Sequence, residues 1–136
     1  MGRGPHASIT YKFCKRMVEA NYMLMVCGNH DNKIMRWAKG NNVRLSNGDE
    51  ISTYDLEQEN KTEIYNFFKS LPLYLILDNN KLIVVHVAWK DSFSKYEKCN
   101  KKCKAWCLYG PTTGKRLENG LPDRIDWVSN RETSKY

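Results

Sequence analysis

The sequence predicts an α/β fold, and three features of it carry that prediction. Residues 7–20 have the apolar spacing of an amphipathic helix, and residues 22–27 form a short, wholly apolar run typical of a buried strand. Residues 73–87 contain two more apolar runs on either side of a polar tetrapeptide, which indicates a β-hairpin. A helix, a buried strand and a second helix in succession favour a layered α/β arrangement.

The length, composition and charge of the chain indicate its domain number and the kinds of partner it could bind. The chain has 136 residues and 12% aromatic residues, so it is predicted to form one domain, residues 1–136, with a hydrophobic core. Its net charge of +7 favours anionic partners, such as phosphorylated metabolites, nucleic acid or an acidic membrane surface, although a solvated basic surface explains it equally well. No membrane span and no secretory signal are predicted, and an odd number of cysteines, five, favours a reducing cytoplasm.

The first half of the chain reads as helix, strand, helix and turns. In residues 7–20, Ile9, Phe13 and Met17 recur at a spacing of four. The strand at residues 22–27 is followed by a predicted helix at 32–39. Residues 40–51 are rich in glycine and asparagine, with one short strand expected at 43–45.

Two helix starts are predicted next, at Ser52 and Asn60, because each is followed by an acidic residue three positions later. The second helix carries apolar residues at i, i+3, i+4 and i+7, and Pro72 is expected to end it. These apolar positions are Ile64, Phe67, Phe68 and Leu71.

The hairpin and the C-terminal part follow. Residues 78–81 join the two apolar runs and contain aspartate and asparagine, which tolerate positive φ, so a tight turn is predicted there. Residues 92–107 are interpreted as helical. The sequence from Gly110 onward is interpreted as loops, with a short apolar segment at 124–128.

The Gly28-Asn29-His30-Asp31 motif is the first candidate site. It follows the predicted strand directly, and its amide oxygen and imidazole nitrogens are donors suited to divalent transition metals. Asp31 could orient the imidazole of His30, as carboxylates do behind metal sites. An ordinary polar turn is the alternative interpretation of these four residues.

Two further residues lie at strand ends or loops. His86 ends the second strand of the predicted hairpin, where a core histidine bonded to a carbonyl is the alternative to a ligand. Arg3 lies in a glycine-rich turn before the first helix, a position that suits bidentate phosphate binding, and a solvated N-terminal arginine is its alternative. Ligands on loops that project from a β scaffold are a common way to build a metal site.

Together these residues make the chain resemble the calcineurin-like metallophosphoesterases. The resemblance is closest to the phosphatase domain of bacterial polynucleotide kinase-phosphatases and to diadenosine tetraphosphatase-type proteins. Its matching stretches keep the family's order and spacing over nearly the whole chain. They are residues 3–5, 28–33, 71–86, 109–114 and 119–127.

The resemblance implies a β-sandwich flanked by helices and a role for each matching residue. Arg3 would contact the substrate phosphate, and Asn29 and His86 would be ligands to the second of two metals, typically manganese. His30, supported by Asp31, would lie beside the scissile phosphate. In such a site the two ions polarise the phosphoryl group and lower the pKa of the attacking water.

The chain also departs from the family pattern. The family's Asp-x-His motif, its bridging Asp and its closing Gly-His-Thr motif have no counterpart here, Gly2 stands where the family has Asp, and Val87 follows His86. We therefore expect an internal fragment without the family's first and last strands. Such a chain should have no substantial phosphatase activity alone, and either a complementing polypeptide or a rearranged fold would accommodate its unpaired edges.

The remaining candidate features lie in residues 95–107. Cys99, Cys103 and Cys107 are spaced by four, which predicts one helical stripe. A partly buried helix face is the favoured interpretation, since a zinc site would need a fourth ligand. The lysines of residues 95–104, with Tyr96 and Trp106 among them, could meet a nucleic-acid backbone, although a solvated helix face is the favoured interpretation.

Three function classes therefore follow from the sequence. The first is a metal-dependent phosphoesterase acting on phosphate esters or nucleotides, and the second is a non-catalytic basic module that binds nucleic acid or phosphorylated ligands. The third is a cysteine-based metal or redox element.

Overall fold

The computed structural model describes residues 3–46, 48–95 and 98–130 and confirms the α/β character of the chain. It consists of two compact units, Met1–Pro72 and Leu73–Tyr136. The first unit is helical and the second contains two small antiparallel sheets. That one domain spans residues 1–136 stays a prediction.

The described part of the first unit contains four helices: α1 (Ala7–Glu19), α2 (Asn29–Ala38), α3 (Asp49–Leu56) and α4 (Lys61–Ser70). Helix α2 packs against α4, and α1 packs against α3. The predicted start of α4 is confirmed, because the Asn60 side chain accepts a hydrogen bond from the Glu63 amide at 3.0 Å. The predicted end is confirmed too, since Leu71 is extended ahead of Pro72.

The core of this unit is built around aromatic rings from α1 and α4. Tyr11 lies 5.7 Å from Phe67 and 6.1 Å from Phe68, measured between ring centroids, and the two phenylalanines lie 5.2 Å apart. The four apolar positions predicted for α4 are all buried. The periodicity of α4 thus identified the residues that hold the first unit together.

The buried strand predicted at residues 22–27 is wrong. Among the described residues this segment belongs to no sheet, and the side chains of Tyr22 and Leu24 are 80% and 69% exposed. An apolar run becomes a strand only when a neighbouring strand pairs with its backbone. Here the Cys27 amide donates to the Pro72 carbonyl at 2.8 Å, and the amides of Tyr22 and Met23 donate to the Met17 carbonyl at 2.9 and 3.2 Å.

Two local predictions in this unit also fail. Residues 43–45 form no strand, and Ser52 does not begin a helix but lies inside α3. Helix α3 starts earlier, at Asp49, because Gly48 adopts a left-handed conformation (φ 90°) that turns the chain into the helix. Asn47, which precedes this turn, lies outside the described residues.

The predicted hairpin is confirmed in the second unit. Strands β1 (Tyr74–Leu77) and β2 (Leu82–Val85) pair antiparallel, with Tyr74 opposite Val85. The three turn residues 78–80 all have positive φ, as their aspartate and asparagine side chains allow.

The continuous helix predicted at residues 92–107 is wrong. A short 3-10 helix (Asp91–Lys95) and helix α5 (Lys101–Tyr109) occupy this region instead. Asn100 separates them, because its side chain accepts the Cys103 amide at 2.9 Å and so begins a new helix. Tyr96 lies outside the described residues.

The loops predicted after Gly110 contain a second hairpin. Strands β3 (Thr112–Arg116) and β4 (Pro122–Arg124) pair antiparallel with a register irregularity, Thr112 facing Arg124 and Arg116 facing Pro122. Every residue of β3 is exposed, so the apolar alternation that identifies a half-buried strand does not exist there.

The core of the second unit lies between β1, the 3-10 helix and α5. The Trp89 ring lies 4.6 Å from Tyr74 and 5.7 Å from Phe93, and Phe93 lies 5.5 Å from Trp106. Cys103 and Cys107 are buried in the same cluster. The described strands of this unit form two separate two-stranded sheets, and the family's sandwich is not confirmed. None of the described helices is long and apolar enough to cross a membrane.

Candidate functional site

The Gly28-Asn29-His30-Asp31 motif lies at the start of α2. Gly28 is the residue before the helix, and its amide donates to the Asp31 carboxylate at 2.9 Å. The His30 amide donates to the Asn29 side-chain oxygen at 2.9 Å. The predicted strand tip is thus a helix N-terminus, where the helix dipole favours negative charge.

His30 is held by a carboxylate from a different helix. Its Nδ1 lies 2.8 Å from Oδ1 of Asp49, which is in the first turn of α3. The other oxygen of Asp49 accepts Nζ of Lys33 at 2.6 Å and the Ser46 amide at 3.0 Å. His30 and Lys33 are three residues apart on α2, so they share one helix face and reach the same carboxylate.

The charge state of Asp49 follows from these contacts. Its side chain is only 4% exposed, and this burial raises the pKa. The hydrogen bonds from Lys33, the Ser46 amide and His30, with the charge of Lys33, outweigh burial and hold the pKa of Asp49 below its usual range. Asp49 is therefore ionised at neutral pH.

An ionised carboxylate only accepts hydrogen bonds, so Nδ1 of His30 must carry the proton. In the neutral imidazole, Nε2 is then the acceptor nitrogen, available to a proton, a metal or a phosphate-bound donor. The pair formed by Asp49 and His30 thus fixes the tautomer of the histidine.

Asp49 is the residue that the sequence analysis missed. Asp31 was predicted to support His30, but the carboxylate at 2.8 Å from the imidazole belongs to Asp49. Asp31 is buried and accepts the Gly28 amide at the start of α2. Support of His30 by Asp31 in a working site stays a prediction.

Arg3 lies beside the start of the same helix α3. A Cβ placed on Gly48 would lie 3.6 Å from the Arg3 carbonyl oxygen, and the Ser52 hydroxyl donates to the Gly4 carbonyl at 3.3 Å. The Arg3 residue is exposed, so its guanidinium is accessible to solvent-borne anions. Its contact with a substrate phosphate stays a prediction.

His86 belongs to the second unit, whereas Asn29 belongs to the first. It directly follows β2 and is exposed, so it is not the buried core histidine of the alternative interpretation. The next residue, Val87, donates its amide to the Cys107 carbonyl at 3.1 Å, which anchors the loop that carries His86. Its predicted role as a metal ligand stays a prediction.

The three spaced cysteines meet in the second unit. The sulfur atoms of Cys99, Cys103 and Cys107 all lie within 4.8 Å of one another, and Cys99 is disulfide-bonded to Cys103. The disulfide was not predicted. The prediction of one helical stripe is confirmed for Cys103 and Cys107, which both lie on α5, and is wrong for Cys99, which precedes the helix. The lysines of α5 are exposed, as the interpretation of a solvated face requires.

Comparisons with known proteins show extensive similarity. No family model matches the chain. It is 35% identical over 138 residues to the bis(5'-nucleosyl)-tetraphosphatase PrpE (asymmetrical) of Bacillus velezensis, which covers 96% of this chain and 54% of the relative. The proteins of the same name from Bacillus subtilis and Anoxybacillus flavithermus are 33% and 31% identical, covering 93% and 94% of this chain and 54% of each relative. The chain thus spans about half the length of the curated relatives it matches.

Proposed function

The chain belongs to the calcineurin-like metallophosphoesterase family, and we propose that it supplies part of a divalent-metal-dependent hydrolase that cleaves a phosphate ester or anhydride of a nucleotide. The observation that carries this proposal is the similarity to tetraphosphatases over 93–96% of the chain. That span takes in most of the described structure, including the helices that bring His30 and Asp49 together.

His30 would act at the scissile phosphate. With its tautomer fixed by Asp49, the imidazole presents Nε2, which in the protonated ring donates to the leaving oxygen or to a charged phosphoryl oxygen. Asp49 is then a positioning residue, because it holds the ring without touching the substrate. The ammonium of Lys33, on the other oxygen of Asp49, adds positive charge beside the pair.

The metal requirement is only partly met by this chain. The Asn29 amide and the His86 imidazole are donors of the right chemical kind for manganese or a similar ion, and we propose both as ligands. Two donors do not hold a dinuclear centre, so the chain by itself does not fit the family's metal pair. When bound, such ions polarise the phosphate and activate water.

The missing ligands would come from a complementing polypeptide. Residues 22–27 support this idea, since they have the composition of a strand but belong to no sheet among the described residues. A partner strand beside the segment would bury Tyr22 and Leu24, while the amides of residues 22, 23 and 27 already donate to the Met17 and Pro72 carbonyls. We propose that the family's layered sandwich forms on such pairing.

The substrate we propose is a nucleoside polyphosphate. The name of these relatives describes asymmetrical action on bis(5'-nucleosyl) tetraphosphates. A net charge of +7 favours the approach of such a polyanion, and the exposed Arg3 would meet one of its phosphates. Asymmetrical hydrolysis would yield a nucleoside triphosphate and a nucleoside monophosphate.

The test is complementation of activity. The purified chain is assayed with manganese and diadenosine tetraphosphate, first alone and then with the segments of the Bacillus subtilis relative that this chain does not match. We expect no turnover from either part alone, turnover from the mixture, and its loss in His30→Ala. Turnover by the chain alone that His86→Ala abolishes would disprove the need for a partner. A mixture that associates but stays inactive would overturn the proposed activity.

A second candidate function is binding of nucleic acid, and one observation favours it. Lys101, Lys102 and Lys104 are all exposed on α5. Binding of single-stranded RNA that weakens with added salt, and whose salt dependence falls in Lys101→Ala/Lys104→Ala, would support it. Equal binding by the double variant would remove α5 from consideration.

A further inference from the structure

Three cysteines of the second unit converge on one point, and no part of the proposed phosphoesterase uses them. The sulfur atoms of Cys99, Cys103 and Cys107 lie within 4.8 Å of one another. Cys103 and Cys107 are completely buried one turn apart on α5, and Cys99 is half-buried just before the helix.

The backbone around these cysteines is well fixed. The Asn100 side chain accepts the Cys103 amide at 2.9 Å, which sets the first turn of α5, and the Cys107 carbonyl accepts the Val87 amide at 3.1 Å. The buried rings of Trp89 and Phe93 pack in the same cluster. The three sulfurs are therefore held together by surrounding packing as well as by their spacing.

Burial opposes thiolate formation in the cluster, since it raises the pKa of the Cys107 thiol to about 11, so the charge of the three sulfurs must be offset by a bound cation and by positive groups nearby. Three thiolates with a monovalent cation carry a net charge of −2, which an apolar environment opposes. Lys101, Lys102 and Lys104 lie on the same short helix, and Lys98 lies one residue before Cys99. The start of α5 adds the positive end of the helix dipole.

We propose that the reduced cysteine cluster binds one monovalent copper ion, and that the Cys99–Cys103 disulfide is its oxidised, metal-free form. Soft thiolates select Cu(I) and Zn(II) among common ions. Among the described residues no histidine, aspartate or glutamate joins the three sulfurs, whereas a structural zinc site takes four ligands. Three sulfurs without a fourth histidine, aspartate or glutamate donor in residues 3–46, 48–95 and 98–130 favour Cu(I).

The distances agree with this assignment. Metal–sulfur bonds of about 2.3 Å place three ligand sulfurs about 4 Å apart. The present separations, within 4.8 Å, need only a small contraction for Cys107, while Cys99 and Cys103 must move apart once their bond is cut.

The redox step is balanced by a dithiol reductant. Its two thiols transfer two electrons and two protons to the Cys99–Cys103 disulfide, so the reductant becomes a disulfide and the protein gains two thiols. Binding of Cu(I) then displaces the three thiol protons. Oxidation by a small disulfide reverses the first step and releases the ion.

The test is an anaerobic titration of the reduced chain with Cu(I) in competition with a chromophoric Cu(I) chelator. We expect one ion per chain, an ultraviolet thiolate-to-copper absorption band, and protection of three cysteines from alkylation, located by mass spectrometry. Cys99→Ser, at a half-buried position outside the helix, should weaken binding at least tenfold. Cys14→Ser, which changes a free, half-buried cysteine of the first unit, is the matched control and should bind as the unaltered chain does.

The possible outcomes separate clearly. Binding that is unchanged in Cys99→Ser, or lost in Cys14→Ser, overturns the proposal, as does a chain that leaves all copper with the chelator. Zinc bound at one ion per chain in the absence of copper binding overturns the choice of metal. Circular dichroism of each variant confirms that lost binding does not reflect unfolding. No outcome depends on the phosphoesterase activity.

Discussion

Replacing Asp49 with asparagine removes the charge that joins α2 to α3 in the candidate site. The carboxylate accepts hydrogen bonds from His30, Lys33 and the Ser46 amide, at 2.8, 2.6 and 3.0 Å. Hydrogen bonds to charged groups contribute about 1.5–3 kcal/mol each. Lys33 and His30 are 28% and 22% exposed, so water screens both contacts and the lower end of that range applies. Because asparagine keeps one acceptor oxygen, we expect Asp49→Asn to lower the free energy of unfolding by about 2 kcal/mol.

The effect should depend on pH in a defined direction. The pKa of Asp49 is lowered on folding, so the unfolded chain binds its proton more readily than the folded chain. The stability that this carboxylate contributes is therefore complete above its unfolded pKa of about 3.9. It is lost as the pH falls through the folded pKa. The difference between the unaltered chain and Asp49→Asn should be constant near neutral pH and shrink below about pH 4.

The assay is urea denaturation followed by circular dichroism at neutral and acid pH. Glu50→Gln is the matched control, because it removes the same charge from the next residue of α3, where the side chain is exposed. We expect it to change the free energy of unfolding by less than about 0.5 kcal/mol. Equal effects of the two substitutions at neutral pH, or a difference that persists unchanged in acid, would refute the reasoning.

Three other predictions concern the framework, each measured by urea or thermal unfolding. Asn60→Ala removes the side-chain acceptor at the start of α4 and should cost about 1 kcal/mol, whereas a cap without energetic role would give no change. Phe68→Ala, at a residue that is 1% exposed, should lower the free energy of unfolding by about 3–5 kcal/mol. Phe13→Ala, at an exposed position, should lower it only slightly, and similar losses of stability in the two variants would contradict the assigned core. Gly110→Ala should cost about 2 kcal/mol or more, because φ is +78° and the new Cβ would lie 3.0 Å from a valine methyl carbon. Gly120→Ala, with φ +79° and open space, should cost less, and the reverse order would be inconsistent with a close contact at Gly110.

The parts of the fold that were predictable are those with local causes. Helix α4 was fixed by a capping asparagine, an apolar period and Pro72, all within thirteen residues. The first hairpin was fixed by residues 78–80, whose side chains tolerate the positive φ that the turn requires. In each case the residues that determine the element are adjacent to it in sequence.

The strands that were predicted wrongly or missed depend on distant residues or lack a hydrophobic pattern. Residues 22–27 have a strand's composition, but pairing depends on a neighbour that the segment itself does not specify. Strand β3 is wholly exposed and polar, so its pairing left no hydrophobic pattern. A strand is thus a property of two segments, and a single sequence describes one of them at a time.

The candidate site also contains one residue that local sequence predicts and one that it does not. His30 was identified because its motif is contiguous, with a glycine before it and acidic and amide side chains beside it. Asp49 lies nineteen residues later in another helix, so only the tertiary fold of the first unit brings its carboxylate to Nδ1 of the imidazole. Its local sequence signal, a glycine turn opening a helix, predicts a helix start and says nothing of its partner.

The apolar segment 22–27, in which Tyr22 and Leu24 are exposed, also has a consequence for how the protein behaves in solution. Its six consecutive residues contain no charge, proline or glycine, and Tyr22 and Leu24 face the solvent. Such segments are the ones that stack between chains into intermolecular sheets. The electrostatic repulsion of a +7 molecule opposes that stacking at low ionic strength, and salt weakens the repulsion. The same segment therefore makes the solubility of the chain a function of salt, highest in dilute buffer and falling as ionic strength rises.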